Sequence, residues 1–125
     1  MNQTLFNDQF QEALSAWRDG DWEDSVSILE HLSTWAAAPH RAATWGMLGG
    51  ILWSEEQFER ALGPSLMAVT HSPRSEMASI TLFHVFMALD RADDAFEEMH
   101  RFRMVVGDLG EHYEDFIESL PEVSA

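Results

Sequence analysis

Apolar residues recur along this chain at three- and four-residue steps, the spacing that lines one face of an α-helix, and single glycines and prolines interrupt the runs. From about Thr4 to Asp19 the stripe is Phe6, Phe10, Ala13, Leu14 and Trp17, and Gly20 ends it. A second helix is predicted from about Trp22 to Ala37 on Trp22, Val26, Leu29, Leu32 and Trp35 or Ala36, stopping ahead of Pro39. The third, about Arg41 to Trp53, carries Trp45, Leu48, Gly49 and Leu52 on one face. Ser54 with Gln57 reads as a capping box for the fourth, where Gly63-Pro64 predicts a kink among Phe58, Ala61, Ser65 and Ala68. Ser72-Pro73 has the cap-then-proline pattern that opens a fifth helix, running to about Leu89, and Asp90 is placed to cap a sixth. That sixth helix, about Ala92 to Val106, is expected to bury Ala95, Phe96, Met99, Phe102 and Val106, with Arg101 and Arg103 near its negative end and Gly107 as its stop. A short last helix, about Glu111 to Leu120, presents Tyr113, Phe116, Ile117 and Leu120 on one side before Pro121.

These elements are self-similar. Trp45, Leu48, Gly49, Leu52, Phe58, Ala61, Ala68 and Pro73 stand at the offsets of the tetratricopeptide (TPR) pattern, so residues 42–75 resemble one full repeat of that family. Residues 76–109 resemble a looser unit, with Leu82, Phe83, Phe86, Ala92, Ala95, Met99 and Phe102 in the corresponding places and Phe83 where the small residue stood. Gly20-Asp21-Trp22 followed by Ser25, Leu29 and Leu32 resembles the turn and second helix of another unit over residues 6–39, whose first helix is one residue out of register. The resemblance implies an all-α fold: a right-handed α-α superhelix of about three TPR helical hairpins plus a C-terminal capping helix over residues 111–120, in one domain spanning residues 1–125. The physics points the same way, because a lone hairpin cannot bury its apolar face, whereas about three stacked ones and a polar-faced cap can. An unrelated bundle of six or seven helices is the alternative.

Composition narrows the function. With 125 residues, 46% of them hydrophobic and 23% charged, one modest core is expected. The formal charge is −15, and all seven basic residues are Arg. Such a balance repels nucleic-acid phosphate and offers no polybasic patch to anionic lipid, so neither nucleic acid nor membrane is expected as a partner. An acidic surface favours solubility and steers association toward basic partners. There is no Cys, which leaves packing alone to hold the fold. No basic and apolar leader is legible at the N-terminus and no apolar run approaches a membrane span, so a soluble cytoplasmic protein is expected.

In TPR proteins the first helix of each hairpin lines a concave groove, and the resemblance therefore directs attention to particular positions. The expected partner-binding groove has a small-residue floor at Ala43, Gly46 and Gly50, walled by Trp53, Met77, Ile80 and Met87, with His84 facing it. Such a surface suits an amphipathic helix or an extended apolar peptide, Met supplying adaptable contacts. The competing reading is that these residues pack between neighbouring helices. In the first unit either Phe10, Leu14 and Trp17 line the groove, or they are core and leave Gln11, Ser15 and Arg18 exposed; the second is favoured, since no other apolar stripe exists there. Capture of a C-terminal carboxylate, known in the family, is disfavoured by the absence of Lys. Glu97 and His100 have the three-residue spacing of a carboxylate-bridged metal site but lack a second pair, and the six His are scattered without zinc-ligand spacing. No catalytic residue, metal or cofactor is expected. The expectation is a non-enzymatic adaptor or chaperone that binds a protein or peptide, basic by charge steering. Alternatives are an immunity-type or secretion-chaperone protein masking a basic partner, and a structural subunit that forms homo-oligomers through the groove.

Overall fold

Asn2 accepts a hydrogen bond from the Leu5 N–H at 2.8 Å and so opens α1 (Gln3–Arg18), and Gly20, at φ +88°, closes its far end. This computed structural model describes residues 2–35 and 38–120, and among them every regular element is an α-helix. After α1 come α2 (Trp22–Trp35), α3 (Ala38–Ser54), α4 (Phe58–His71), α5 (Glu76–Ala88), α6 (Ala92–Val106) and α7 (Gly110–Ser119). The expected end of α2 at Ala37, its alternative stripe position Ala36, and the stop at Pro121 lie outside the described residues. Pro39 falls in the first turn of α3, where a backbone N–H has no intrahelical acceptor, so the helix starts before it rather than after.

Three caps differ from expectation, each because a turn is longer than the sequence pattern implied. Ser54 is the last residue of α3 and Gln57 precedes α4 without a side-chain cap bond, since Glu55 and Glu56 form the turn between them. Ser72 terminates α4, and it is Ser75 that opens α5, accepting from the Ala78 N–H at 3.2 Å. Asp90 lies in the left-handed region at φ +59°, so Arg91 takes the cap position of α6. Pro64 lies mid-helix in α4, which nevertheless continues to His71. Gly107, at φ +106°, ends α6 as its sequence predicts.

Consecutive helices pack in chain order, α1 on α2, α3 on α4 and α5 on α6, with α2 against α3, α4 against α5, α3 against α5, and α7 on α5. The arrangement is an all-α helical repeat. Its core falls into two parts. One gathers Phe6 and Ala13 of α1, Val26, Leu29 and Leu32 of α2, and Leu48, Ile51 and Leu52 of α3. The other gathers Ile80, Leu82, Phe83 and Phe86 of α5 with Ala95 and Phe102 of α6 and Tyr113 of α7. Paired helices approach closely where small residues meet. Ser25 donates to the Ala13 carbonyl at 2.7 Å across α1 and α2, and a Cβ at Gly49 would lie 2.7 Å from Ser65 Oγ and 3.2 Å from the Ser65 backbone N across α3 and α4. Phe96, expected in the core, is half exposed on α6, its ring edge-on to Phe83.

Candidate binding groove

The third helix, α3, has two opposite faces. Leu48, Gly49 and Leu52 are buried against the neighbouring helices, whereas Ala43, Gly46 and Gly50 point to the other side, and a Cβ at Gly46 or Gly50 would meet nothing within 4 Å. Along that second face runs a groove of about 630 Å³. Phe10 and Trp17 of α1 border it on one side and Met77, Ala78 and Thr81 of α5 on the other. Between α3 and α5 the floor reaches Ser65 and Ala68 of α4, and Trp53 and Ser54 line it at the C-terminal end of α3. None of the lining side chains is charged, although the chain carries −15 overall. No residue of α7 lines the groove.

Five positions singled out from the sequence, Ala43, Gly46, Gly50, Trp53 and Met77, meet in this lining. Three do not. The face of α5 turned to the groove is that of Met77, Ala78 and Thr81, and at about 100° per residue Ile80 and Met87 are rotated away from it. Ile80 is buried in the second core cluster, and Met87 is exposed outside the groove. His84 sits behind Trp53, stacked on the indole with centroids 5.5 Å apart, and burial pushes its imidazole below the ordinary value of 6.5. On α1 the favoured reading is corrected for two residues: Phe10 and Trp17 border the groove, with Phe10 also packed against the core, while Gln11, Ser15 and Arg18 are exposed without lining it. The reason is that Phe6 and Ala13 supply the buried stripe, which frees the neighbouring apolar positions for the concave side.

Ser65 Oγ, at the floor, is buried without a hydrogen-bond partner among the described residues. Its place follows from the close α3–α4 crossing, where the Ser65 backbone and hydroxyl come up against Gly49.

A different chemistry holds the last helix. Tyr113 of α7 donates through its hydroxyl to Ser79 Oγ at 2.6 Å, and Ser79 in turn donates to Glu98 Oε2 at 2.6 Å. Glu98 is only 7% exposed; Arg101 binds it with two N–H groups, at 2.7 and 2.6 Å, and a third reaches the Pro73 carbonyl at 3.0 Å. Burial pushes the Tyr113 phenol well above its ordinary value, so it remains a donor. Sequence reasoning missed Glu98, yet the signal was there: it lies between Ala95 and Phe102 on the apolar stripe of α6, three residues before Arg101. The N-terminus of α7 is held by the Glu76 carboxylate, which accepts from the His112 N–H at 3.1 Å.

Glu97 and His100 lie on the outer face of α6 in a shallow depression with Asp93, Phe96 and Arg101. Among the described residues no group of three or more His, Asp or Glu side chains is placed to hold a metal ion, and no helix is long and apolar enough to cross a membrane.

No protein-family model matches the chain, and no curated protein sequence matches it. Solved structures do. A chain of the CopN-Scc3 complex is similar over 94% of this chain and 68% of that one, with a TM-score of 0.79 at 16% sequence identity. The likeness is one of fold.

Proposed function

We propose that this protein is a non-enzymatic adaptor or chaperone of TPR type, which holds a segment of a partner polypeptide in the groove along α3. The observation that carries the reading is the open, uncharged trough of about 630 Å³, floored by Gly46 and Gly50 and walled by Trp17, Trp53 and Met77. Glycines facing open space let a partner's backbone come close, and the aromatic and Met side chains offer apolar contact with some freedom to adapt. An amphipathic helix or extended apolar segment fits such a surface. The surplus of acidic residues outside the lining favours a partner that is basic around its apolar stretch. That the similar fold occurs in a complex of two named proteins supports a protein as the ligand class.

The test uses the groove floor. Because a Cβ at Gly46 or Gly50 meets no neighbour, Gly46→Leu with Gly50→Leu fills the trough without disturbing the core. Random linear peptides displayed and selected on the full chain should yield binders with clustered apolar residues, and the double variant should lose them while unfolding at a temperature no lower than the wild type. Binders that the double variant retains at full affinity would contradict the reading. A homo-oligomer formed through the same face would show as concentration-dependent light scattering that the double variant abolishes.

A further inference from the structure

Near the C-terminal end of α3 lies a second, smaller cavity of about 310 Å³, bounded by Trp53, Ser54, Glu56, Phe58, His84 and Ala88. Trp53 and Ser54 belong to both linings, so the two spaces adjoin at these residues. We infer that this cavity receives a lysine or arginine side chain of the same polypeptide that occupies the groove, an inference that rests on the groove reading above.

Three features point to a cation. The rings of Trp53, Phe58 and His84 line the cavity, and aromatic rings attract ammonium and guanidinium groups while packing against the methylene stem that carries them. Its one charged group is Glu56. Among the described residues Glu56 enters no ion pair; of the arginines, Arg60 pairs with Glu30, Arg91 with Asp94 and Arg101 with Glu98. The walls are also fixed in place. His84 is stacked on Trp53 and meets the edges of Phe83 and Phe116, and its lowered pKa leaves the ring uncharged near neutral pH, so it does not repel a cation.

Glu56 holds φ +59°, a left-handed conformation that glycine adopts freely, that Asn and Asp tolerate, and that a longer side chain resists. The turn after α1 has Gly20 in this conformation and the turn after α5 has Asp90. A glutamate at the middle turn therefore keeps a carboxylate at the cavity against local preference, as residues with a binding role do.

The two spaces together set a recognition pattern: apolar residues along α3, then a basic residue reaching past Trp53. Peptides selected on the full chain supply the probe. Binders are expected to carry Lys or Arg at a fixed distance from their apolar cluster. Replacing that residue by norleucine should weaken binding to the wild type by about tenfold, the scale of a cation held by aromatic faces and a carboxylate. The same replacement should weaken binding to Glu56→Gln and Glu56→Gly by only about two- to fivefold, the share left to the aromatic rings once the carboxylate is gone. Glu56→Gly should also unfold at a temperature no lower than the wild type, which separates lost recognition from lost structure. Binders without a basic residue at constant spacing, or a norleucine effect equal in all three proteins, would overturn this inference and leave the groove standing, provided Gly46→Leu with Gly50→Leu still abolishes binding. Binders indifferent to the filled groove would overturn both.

Discussion

The middle hairpin and the last hairpin put opposite residues at one repeat position. In α3 it is Gly49, against which Ser65 of α4 packs so closely that no Cβ fits. Thirty-four residues later, in α5, it is Phe83, fully buried. Its ring meets Tyr113 at 5.7 Å and Phe116 at 5.0 Å, both from α7, and Phe96 at 5.5 Å from α6. The small residue closes two helices of one hairpin on each other and leaves the concave side open. The large one builds an aromatic seat on which the chain's own seventh helix docks, locked by the bonds from Tyr113 through Ser79 to Glu98 and Arg101. One stack thus shows two fates for a helix face, covered by the chain's own α7 or left open.

Phe83→Ala strikes hardest at this contrast. It removes a ring that supports α7 from beneath, and the loss of burial plus the cavity left behind should cost about 3–5 kcal/mol. Denaturant unfolding gives the magnitude, and hydrogen exchange should show α7 amides losing protection ahead of α1 and α2. At the middle hairpin Gly49→Ala should destabilise by about 1–3 kcal/mol, because the Ser65 backbone as well as its hydroxyl stands in the way. Gly46→Ala and Gly50→Ala, on the open face of the same helix, should instead stabilise by about 0.5–1 kcal/mol each. Equal effects at the three glycines would erase the distinction between a packed and an open face.

The smallest effect concerns pH. With its pKa lowered by burial, His84 binds fewer protons in the folded state than in the unfolded one over the window just below 6.5. Stability should therefore fall as pH drops from 6.5 toward the lowered native value, and flatten below it. In His84→Phe that component of the slope should vanish from unfolding curves collected between these limits.

Much of this was legible in the sequence, and the remainder failed for identifiable reasons. Helix number and order followed from apolar periodicity, since the stripes through Leu29, Leu48 and Phe102 are long and regular. Turns were harder to read. Ser54, Ser72 and Asp90 all resemble caps, but chain length and a left-handed residue decided where each helix began, and single-residue preferences do not encode that. The repeat pattern assigns α3 two faces, and Gly46, Gly50 and Trp53 lie together in the lining along the open one. On α5 the assignment slipped: apolar residues surround that helix, so no polar side marks its rotation, and Ile80 went into the core instead of the wall. Glu98 escaped notice because a buried carboxylate looks like any helical glutamate until its partners from α5 and α7 are in place.

Five tryptophans distribute usefully over the molecule for the most direct test. Trp17 and Trp53 border the groove, Trp22 lies under Arg60 with the guanidinium 5.9 Å from its ring, Trp45 packs on the first core, and Trp35 is 59% exposed at the end of α2. Their indole N–H signals, followed by NMR while a selected peptide is titrated into the full chain, report which face it occupies. The account predicts that Trp17 and Trp53 shift together and saturably while Trp22 and Trp35 stay still. Shifts confined to Trp22 or Trp35 would place the partner on another surface and contradict it.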